Sequence, residues 1–526
     1  DAVTPDELLH ALLKAEADLL WFGGIGTYVK AAHETQAAAG DRANDAIRVD
    51  ADELKVKVIG EGANLGVTQA GRIEFALRGG RINTDAIDNS AGVDSSDHEV
   101  NIKILAAEAI REGDLDPARR NDLLADMTDE VAALVLRHNY TQTFALTLAE
   151  AKAKEDHDAL ERLMEYLEDR GVLNRALETL PETGEMKVRA ERGQPLTRPE
   201  LAVLLAWSKI TLFDDIVASD IPDDPYFNDL LINYFPSPIN TYSKAMSNHR
   251  LKREIIATII ANRVLDMAGP VALLRLREVT GGDNAQVTRG LEAARAVLNF
   301  DGFQREVDQL DNVVPADVQT DLRLHAASAM VDAALWFIET HPDLHVGDAV
   351  QHTEAPLNEF KIILASIHSP FPAARIEREA RSLMKRSAPE EISRWAAAMG
   401  YFAQGLLVVD LAGKTGGSVE EAGKAFYTIG DQLRIDRLRA MARDNLLHAD
   451  YWDRVAGRRL LNELVRMQAD ATQKALAGDG VEAWLSERNE ARKALLAELH
   501  TLGKDRNWAF ARFALAADAL RQFMRH

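Results

Sequence analysis

The pattern of apolar and polar positions divides this chain into a short α/β opening and a long helical remainder. Leu8, Leu9, Leu12 and Leu13 recur at helical spacing. Thr4, Pro5 and Glu7 supply a helix start: an N-cap, proline at the first helical position and acid in the first turn. Apolar runs that read as strands follow at 18–22, 56–60 and, at its widest, 82–89. Between the last two, Thr68 opens a segment with Ile73, Phe75, Ala76 and Leu77 at roughly helical spacing. This predicts a strand–loop–helix–strand unit of a parallel sheet. The polar, alanine-rich stretch 31–54 reads as a helix plus a surface excursion.

From Asp97 the pattern turns helical, with Val100, Ile104, Leu105 and Ala109 on one face and Gly113 to Pro117 ending the helix. Amphipathic segments follow at 119–155, 160–180 and 198–219. The third opens on a capping-box pattern, Thr197 with Glu200, and Pro199 lies in its first turn. Segment 249–268 carries Leu251, Ile255, Ile256, Ile259, Ile260 and Val264 along a broad face and stops at Gly269-Pro270. Further helices are predicted at 285–297, 316–339, 370–384, 391–413, 419–429, 433–445, 451–476, 480–502 and 507–524. No fixed repeat appears, so the helices read as a folded bundle rather than a solenoid. The expected fold is a partial Rossmann-like parallel α/β sheet at 1–112, followed by a large, mostly α-helical domain at 113–526.

Composition narrows the function. Cysteine is absent from the 526 residues, which excludes thiol catalysis, cysteine-bound zinc and disulfides and suits a reducing, cytoplasmic setting. A net charge of −22 argues against general nucleic-acid binding, which needs a basic footprint. No uninterrupted apolar run has spanning length, so no membrane role is expected. The chain opens on Asp1 and a crossover helix, where an α/β domain normally opens on a strand. Three parallel strands also leave sheet edges that need cover. The expectation is the C-terminal part of a longer polypeptide.

Three glycine- and asparagine-rich loops follow the predicted strands, where an α/β sheet holds its ligand. GEGANLG (Gly60 to Gly66) fits a loose dinucleotide fingerprint, with Asp85 about 20 residues beyond. A pyrophosphate loop and a plain tight turn stand level on spacing alone. Asn64, with one amide donor and one carbonyl acceptor, suits a carboxamide or ribose better than a phosphate. GGIGTY (Gly23 to Tyr28) lets a ligand approach the backbone, or simply turns. DNSAGVDSSDHE (Asp88 to Glu99) offers Asn89, Ser95 and Ser96 as donors, and Ser96 or Asp97 as caps for the next helix. A helix N-terminus with hydroxyls suits a carboxylate. The convergence of three such loops on one sheet edge favours a ligand cleft over three coincidental turns. His341, His345 and His352 match no metal-ligand spacing, and Pro342 interrupts a helical face, so no metal site is expected. Trp207 and Trp336 read as core.

At these loops the chain resembles the large bacterial NAD-specific glutamate dehydrogenases. The resemblance rests on DLLWFGGIGTYVKA, GDRAND and VKVIGEGANLGVTQAGRIEFALRGGRINTDAIDNSAGVDSSDHEVNIKI. It continues through LTRPELAVLLAWSKI (Leu196 to Ile210) and HRLKREIIATIIANR (His249 to Arg263). It implies NAD as cofactor and oxidation of L-glutamate to 2-oxoglutarate and ammonia. It implies that Asn64 contacts the nicotinamide ribose region and Asn89 the nicotinamide carboxamide. Gly23, Gly24 and Gly62 would bring their backbone close to the cofactor, and Ser96 would hold the substrate α-carboxylate. Ser90-Ala91-Gly92 departs from the usual Ala-Gly-Gly, and Asp97-His98 stands where aromatics are usual. The family's catalytic lysine and aspartate match nothing here, so they are expected upstream and this chain alone is expected to be inactive. A homo-oligomer through the helical domain is also expected. Two other readings remain open: a helical oligomerisation module with a passive α/β remnant, and a dehydrogenase of another amino acid.

Overall fold

The computed structural model describes residues 3–446, 451–502 and 510–525. They form two compact units, Asp1–Leu274 and Arg275–His526. A small parallel β region near the N-terminus and a large helical region after it match the expected fold class.

The first unit opens on the helix Pro5–Leu13. Thr4 Oγ1 accepts the Glu7 N–H, and the Glu7 carboxylate accepts the Thr4 N–H at 2.8 Å, a complete capping box. Four strands follow: β1 (Leu19–Phe22), β2 (Val29–Lys30), β3 (Val49–Asp50) and β4 (Val58–Glu61). β1 pairs with β4 in parallel, Leu19 opposite Val58 and Phe22 opposite Glu61, and β2 pairs with β3 in parallel. The helix Gln69–Leu77 starts at Thr68, whose hydroxyl accepts the Gly71 N–H. Phe22, Val29, Val49, Ile59, Val67, Phe75 and Ile82 form the buried core beneath these strands. Each large apolar side chain there contributes about 1.5–3 kcal/mol by leaving water.

Two expectations are corrected. The strand read at 82–89 is a single bridge: Arg81 N–H donates to Lys57 O, and Ile59 N–H to Arg81 O. The chain then enters the helix Asp85–Asp88, because Thr84 holds an extended N-cap conformation and Asp85 and Asp88 favour a helix N-terminus. The helix read from Asp97 begins instead at Ser90 and runs to Glu112, closing on Gly113 at φ 83°. Ser96 and Asp97 therefore cap nothing. The small and polar residues Gly92, Ser95, Ser96 and Asp97 form an exposed face, while His98, Ile102, Leu105 and Ala109 bury the other. That helix packs on Thr128–Lys152, which packs on Arg198–Ala218 and Lys252–Ala268.

In the second unit, Ala316–Thr340 and Glu390–Thr415 pack on each other and on surrounding helices. Glu390–Thr415 is long and apolar enough by composition to cross a membrane; here it buries Ile392, Met399, Leu406 and Leu411. The helix Val346–Ile367 is one that the sequence pattern did not announce. Proline reads as a break, yet Pro356 sits inside this helix, and burial of Val346, Leu357, Phe360, Leu364 and Ile367 outweighs the lost hydrogen bond. The segment read at 480–502 divides into Val481–Glu487 and Asn489–Leu502, and 507–524 begins outside the described residues, with Phe510–Arg525 described. A core around Leu464, Ala471, Trp484, Ala517 and Leu520 joins these last helices.

Lys361 gives this unit a pH signature. Its ammonium donates to Val297 O at 2.6 Å and Asn358 Oδ1 at 2.9 Å, and burial pushes it down from 10.5 to about 8. Between those values the unfolded chain holds the extra proton, so unfolding becomes harder as pH rises. Urea titrations from pH 8 to 10 should show the wild type gaining stability relative to Lys361→Met, with a slope up to about 1.4 kcal/mol per pH unit.

Candidate active-site wall

β1 and β4 end side by side, and the loops after them meet at that edge. Phe22 O accepts the Ala63 N–H at 3.0 Å, which ties one loop to the other strand. Glu61, the last residue of β4, is fully buried. Arg72 grips it with two bonds, Nε to Oε2 at 2.7 Å and Nη2 to Oε1 at 2.9 Å. The Val67 N–H donates to the same carboxylate at 3.0 Å and so closes the loop. Burial works against both charges; the paired bonds and the charges of Glu61 and Asp85 outweigh it for the guanidinium, which stays above its ordinary value, whereas for the Glu61 carboxyl burial wins over the Arg72 bonds and holds it above the usual carboxylate range.

The short helix after the loop holds it from the other side. Asp85 accepts the Leu65 N–H at 2.8 Å, and Asp88 accepts the Glu61 N–H at 2.9 Å and the Asn83 amide at 2.6 Å. Leu65 sits at φ 61°, a strained conformation for a side-chain-bearing residue, and the Asp85 bond fixes it there. Asp85 thus folds the loop backbone. Asn139, from Thr128–Lys152, donates to Ile87 O at 2.8 Å and Ser90 Oγ at 2.9 Å, pinning the start of the Ser90–Glu112 helix. Arg198, the first residue of its helix, donates to Asn83 and to Thr143 O.

The predicted site residues separate into two groups. Asn64 and Asn89, 25 positions apart, meet: Asn89 Nδ2 donates to Asn64 Oδ1. That bond uses one N–H of Asn89 and one lone pair of Asn64; the Asn64 amide nitrogen keeps both of its N–H donors, and the Asn89 side-chain carbonyl keeps its acceptor sites. Ser96 lies exposed on the same helix as Asn89's cap position, seven residues on. At 100° per residue it returns to the same side, about 10 Å along the axis. Gly23 and Gly24 are exposed, and Gly24 has open space above its Cα. Gly62 has a different setting. A Cβ at Gly60 or Gly62 would come within 2.5 Å of the Trp21 ring, so these glycines let the indole lie against β4. Trp21 itself is 58% exposed, and Ile25 and Leu65 are exposed beside the same edge.

Sequence reading did not pick out Glu61, Arg72, Asp88 or Trp21. A signal was present for the first two: Glu61 is a lone charge between two glycines at a strand end, and Arg72 lies on the buried face of its helix beside Gly71 and Phe75. Partner identity needs the fold.

The sequence matches the family described as "Glutamate dehydrogenase, C-terminal" over residues 193–522, more than half of the chain. It matches "Bacterial NAD-glutamate dehydrogenase, catalytic domain" over residues 1–149. The chain belongs to the bacterial NAD-glutamate dehydrogenase family. The catalytic-domain match includes every loop residue above, from Gly23 to Ser96. A protein of Halomonas elongata named NAD-specific glutamate dehydrogenase is 36% identical over 99% of this chain and 33% of its own length. One of the same name from Pseudomonas aeruginosa is 42% identical over 82% of this chain and 27% of its own. Another, from Mycobacterium tuberculosis, is 36% identical over 86% and 28%. The chain therefore spans about a third of the length of the curated relatives it matches.

For this family member the Glu61–Arg72 pair is the element to test. Arg72→Leu strands a buried carboxylate and should cost about 3–5 kcal/mol in urea unfolding, followed by circular dichroism. A loss below about 1 kcal/mol, the range of an exposed pair, would refute that weight.

Proposed function

We propose that this chain forms the nicotinamide-side wall of an NAD-dependent glutamate dehydrogenase, which oxidises L-glutamate to 2-oxoglutarate and ammonia. The observation that carries the reading is the Asn64–Asn89 contact. It places amide N–H donors and a side-chain carbonyl acceptor together at the strand ends, a set that a primary carboxamide can match. Nicotinamide carries that group, and bound NAD supplies the hydride acceptor. Asn89 orients the carboxamide and Asn64 reaches the ribose region. Gly23 and Gly24 let the ring approach the backbone, and Gly62 admits it indirectly by seating Trp21. Exposed Trp21, Ile25 and Leu65 offer an apolar surface beside the pair. Ser96, two turns along the helix, holds the substrate α-carboxylate.

The acid–base residues belong to another part of the polypeptide. An uncovered sheet face supports this. Leu19, Trp21 and Val58 project from one side of β1 and β4 and are exposed, as are Leu8, Leu9 and Leu12 of the first helix. Parallel sheets are normally covered on both faces. The remainder of the dinucleotide domain supplies that cover. The cysteine-free composition fits a cytoplasmic enzyme, and the helical region serves its assembly into oligomers.

In the full-length enzyme, Asn89→Ala should raise KM for NAD or lower kcat by tenfold or more, and Asn64→Ala should act in the same direction. Ser96→Ala should raise KM for glutamate with KM for NAD unchanged. Steady-state kinetics at fixed pH separate these, and wild-type constants for Asn89→Ala would overturn the assignment. The 526-residue chain alone should form no NADH from glutamate; turnover near that of the intact enzyme would overturn the divided site.

A further inference from the structure

One turn past Ser90 lies a side-chain cluster that the proposed function does not use. Asp94 and His98 stand at i and i+4 on the Ser90–Glu112 helix, and His138 reaches them from Thr128–Lys152. His138 Nδ1 is 2.8 Å from Asp94 Oδ2, and His98 Nε2 is 3.7 Å from Asp94 Oδ1. All three groups offer a ligand atom within 4.8 Å of the others. A tetrahedral ion with bonds of about 2.0–2.1 Å sets its ligands about 3.3 Å apart, which small side-chain rotations reach from here.

His98 supplies the independent observation. It is completely buried, and neither of its ring nitrogens has a hydrogen-bond partner. A buried imidazole left in that state bears the full desolvation cost of its polar atoms. Its ring cannot turn away to find water. The Tyr234 ring stacks on it at 4.3 Å between centroids, and Tyr234 is itself held by the Asn101 amide at 2.8 Å. The edge carrying Nε2 is therefore kept beside Asp94. On the opposite side His138 is exposed and Asp94 half-buried, so a fourth position opens to solvent.

We propose that Asp94, His98 and His138 bind a divalent transition-metal ion of the zinc class, with water as fourth ligand. Two imidazoles and one carboxylate suit zinc and its borderline neighbours and do not suit magnesium or calcium, which take oxygen ligands. The ion would give His98 its missing partner and lock Ser90–Glu112 to Thr128–Lys152. Asn89 and Ser96 flank Asp94 on that helix, so occupancy would also hold their spacing. The metal site does not depend on the cofactor reading.

The test uses the untagged full chain, stripped with a chelator and titrated with Co²⁺ and then Zn²⁺. The expected result is one tight equivalent of Co²⁺ with a visible ligand-field band, displaced by Zn²⁺ and not by Mg²⁺. His138→Ala, whose ring is exposed and whose loss leaves the fold intact by circular dichroism, should lose the band and at least tenfold in affinity. Asp94→Asn should weaken binding in the same direction. Zn²⁺ should raise the thermal midpoint of the wild type and leave that of His138→Ala unchanged. Absence of saturable Co²⁺ and Zn²⁺ binding, or wild-type binding by His138→Ala, would overturn the proposal.

Discussion

A buried ion pair organises the candidate site. Glu61 ends a strand where the chain must turn, and Arg72 meets it from the helix that follows the loop. Two charges leave water together, which costs several kcal/mol per ion unless each finds full compensation. Here the bonds that offset much of that cost also shape the backbone, although burial still holds the Glu61 carboxyl above its usual range. The carboxylate takes two guanidinium bonds and the Val67 N–H, and the guanidinium also faces Asp85. Asp85 and Asp88 then bond the backbone at Leu65 and Glu61. The loop between them has little freedom left, and Asn64 is carried to a fixed place at the sheet edge. A pre-positioned asparagine needs less ordering than one on a slack loop in any contact it makes.

The same architecture explains what the glycines do. Gly60 and Gly62 look like a phosphate-binding fingerprint, yet their missing Cβ atoms make room for Trp21. The indole and the neighbouring Leu19 and Val58 form an apolar face that nothing in the described residues covers. The exposed face belongs to a parallel sheet, a kind that is normally covered on both sides.

Much of the fold was readable from local chemistry. Thr4 with Glu7, Thr197 with Glu200, Thr68 and Gly113 mark helix ends because capping needs only neighbouring residues. β1 and β4 were readable from their apolar runs. The misreadings share one cause. Residues 82–89 and 89–97 are short and polar, so propensity there is weak and tertiary partners decide. In the fold, Asp85 and Asp88 bond the Leu65 and Glu61 backbone, and Asn139 pins Ile87 and Ser90, tying the helices at 85–88 and 90–112 to their surroundings. The sequence pattern does not predict the helix around Pro356 at all, and there burial of one face outweighs a local break.

The sequence by itself determined the family and the residue types in its glycine- and asparagine-rich loops. Asn64, Asn89 and Ser96 stand out because the resemblance places them at the family's cofactor and substrate loops, and for Asn64 because an amide donor and acceptor suit a carboxamide or ribose better than a phosphate. Only the tertiary structure decided which residues meet. It joined Asn64 to Asn89, laid Trp21 over Gly60 and Gly62, enclosed Glu61 with Arg72, and brought His138 to Asp94 and His98. The physical reason is range. Caps, turns and periodicity act over a few residues and are written in the order of the chain. Burial, ion pairing and ligand geometry act through space, and the chain order does not contain them until the core has formed.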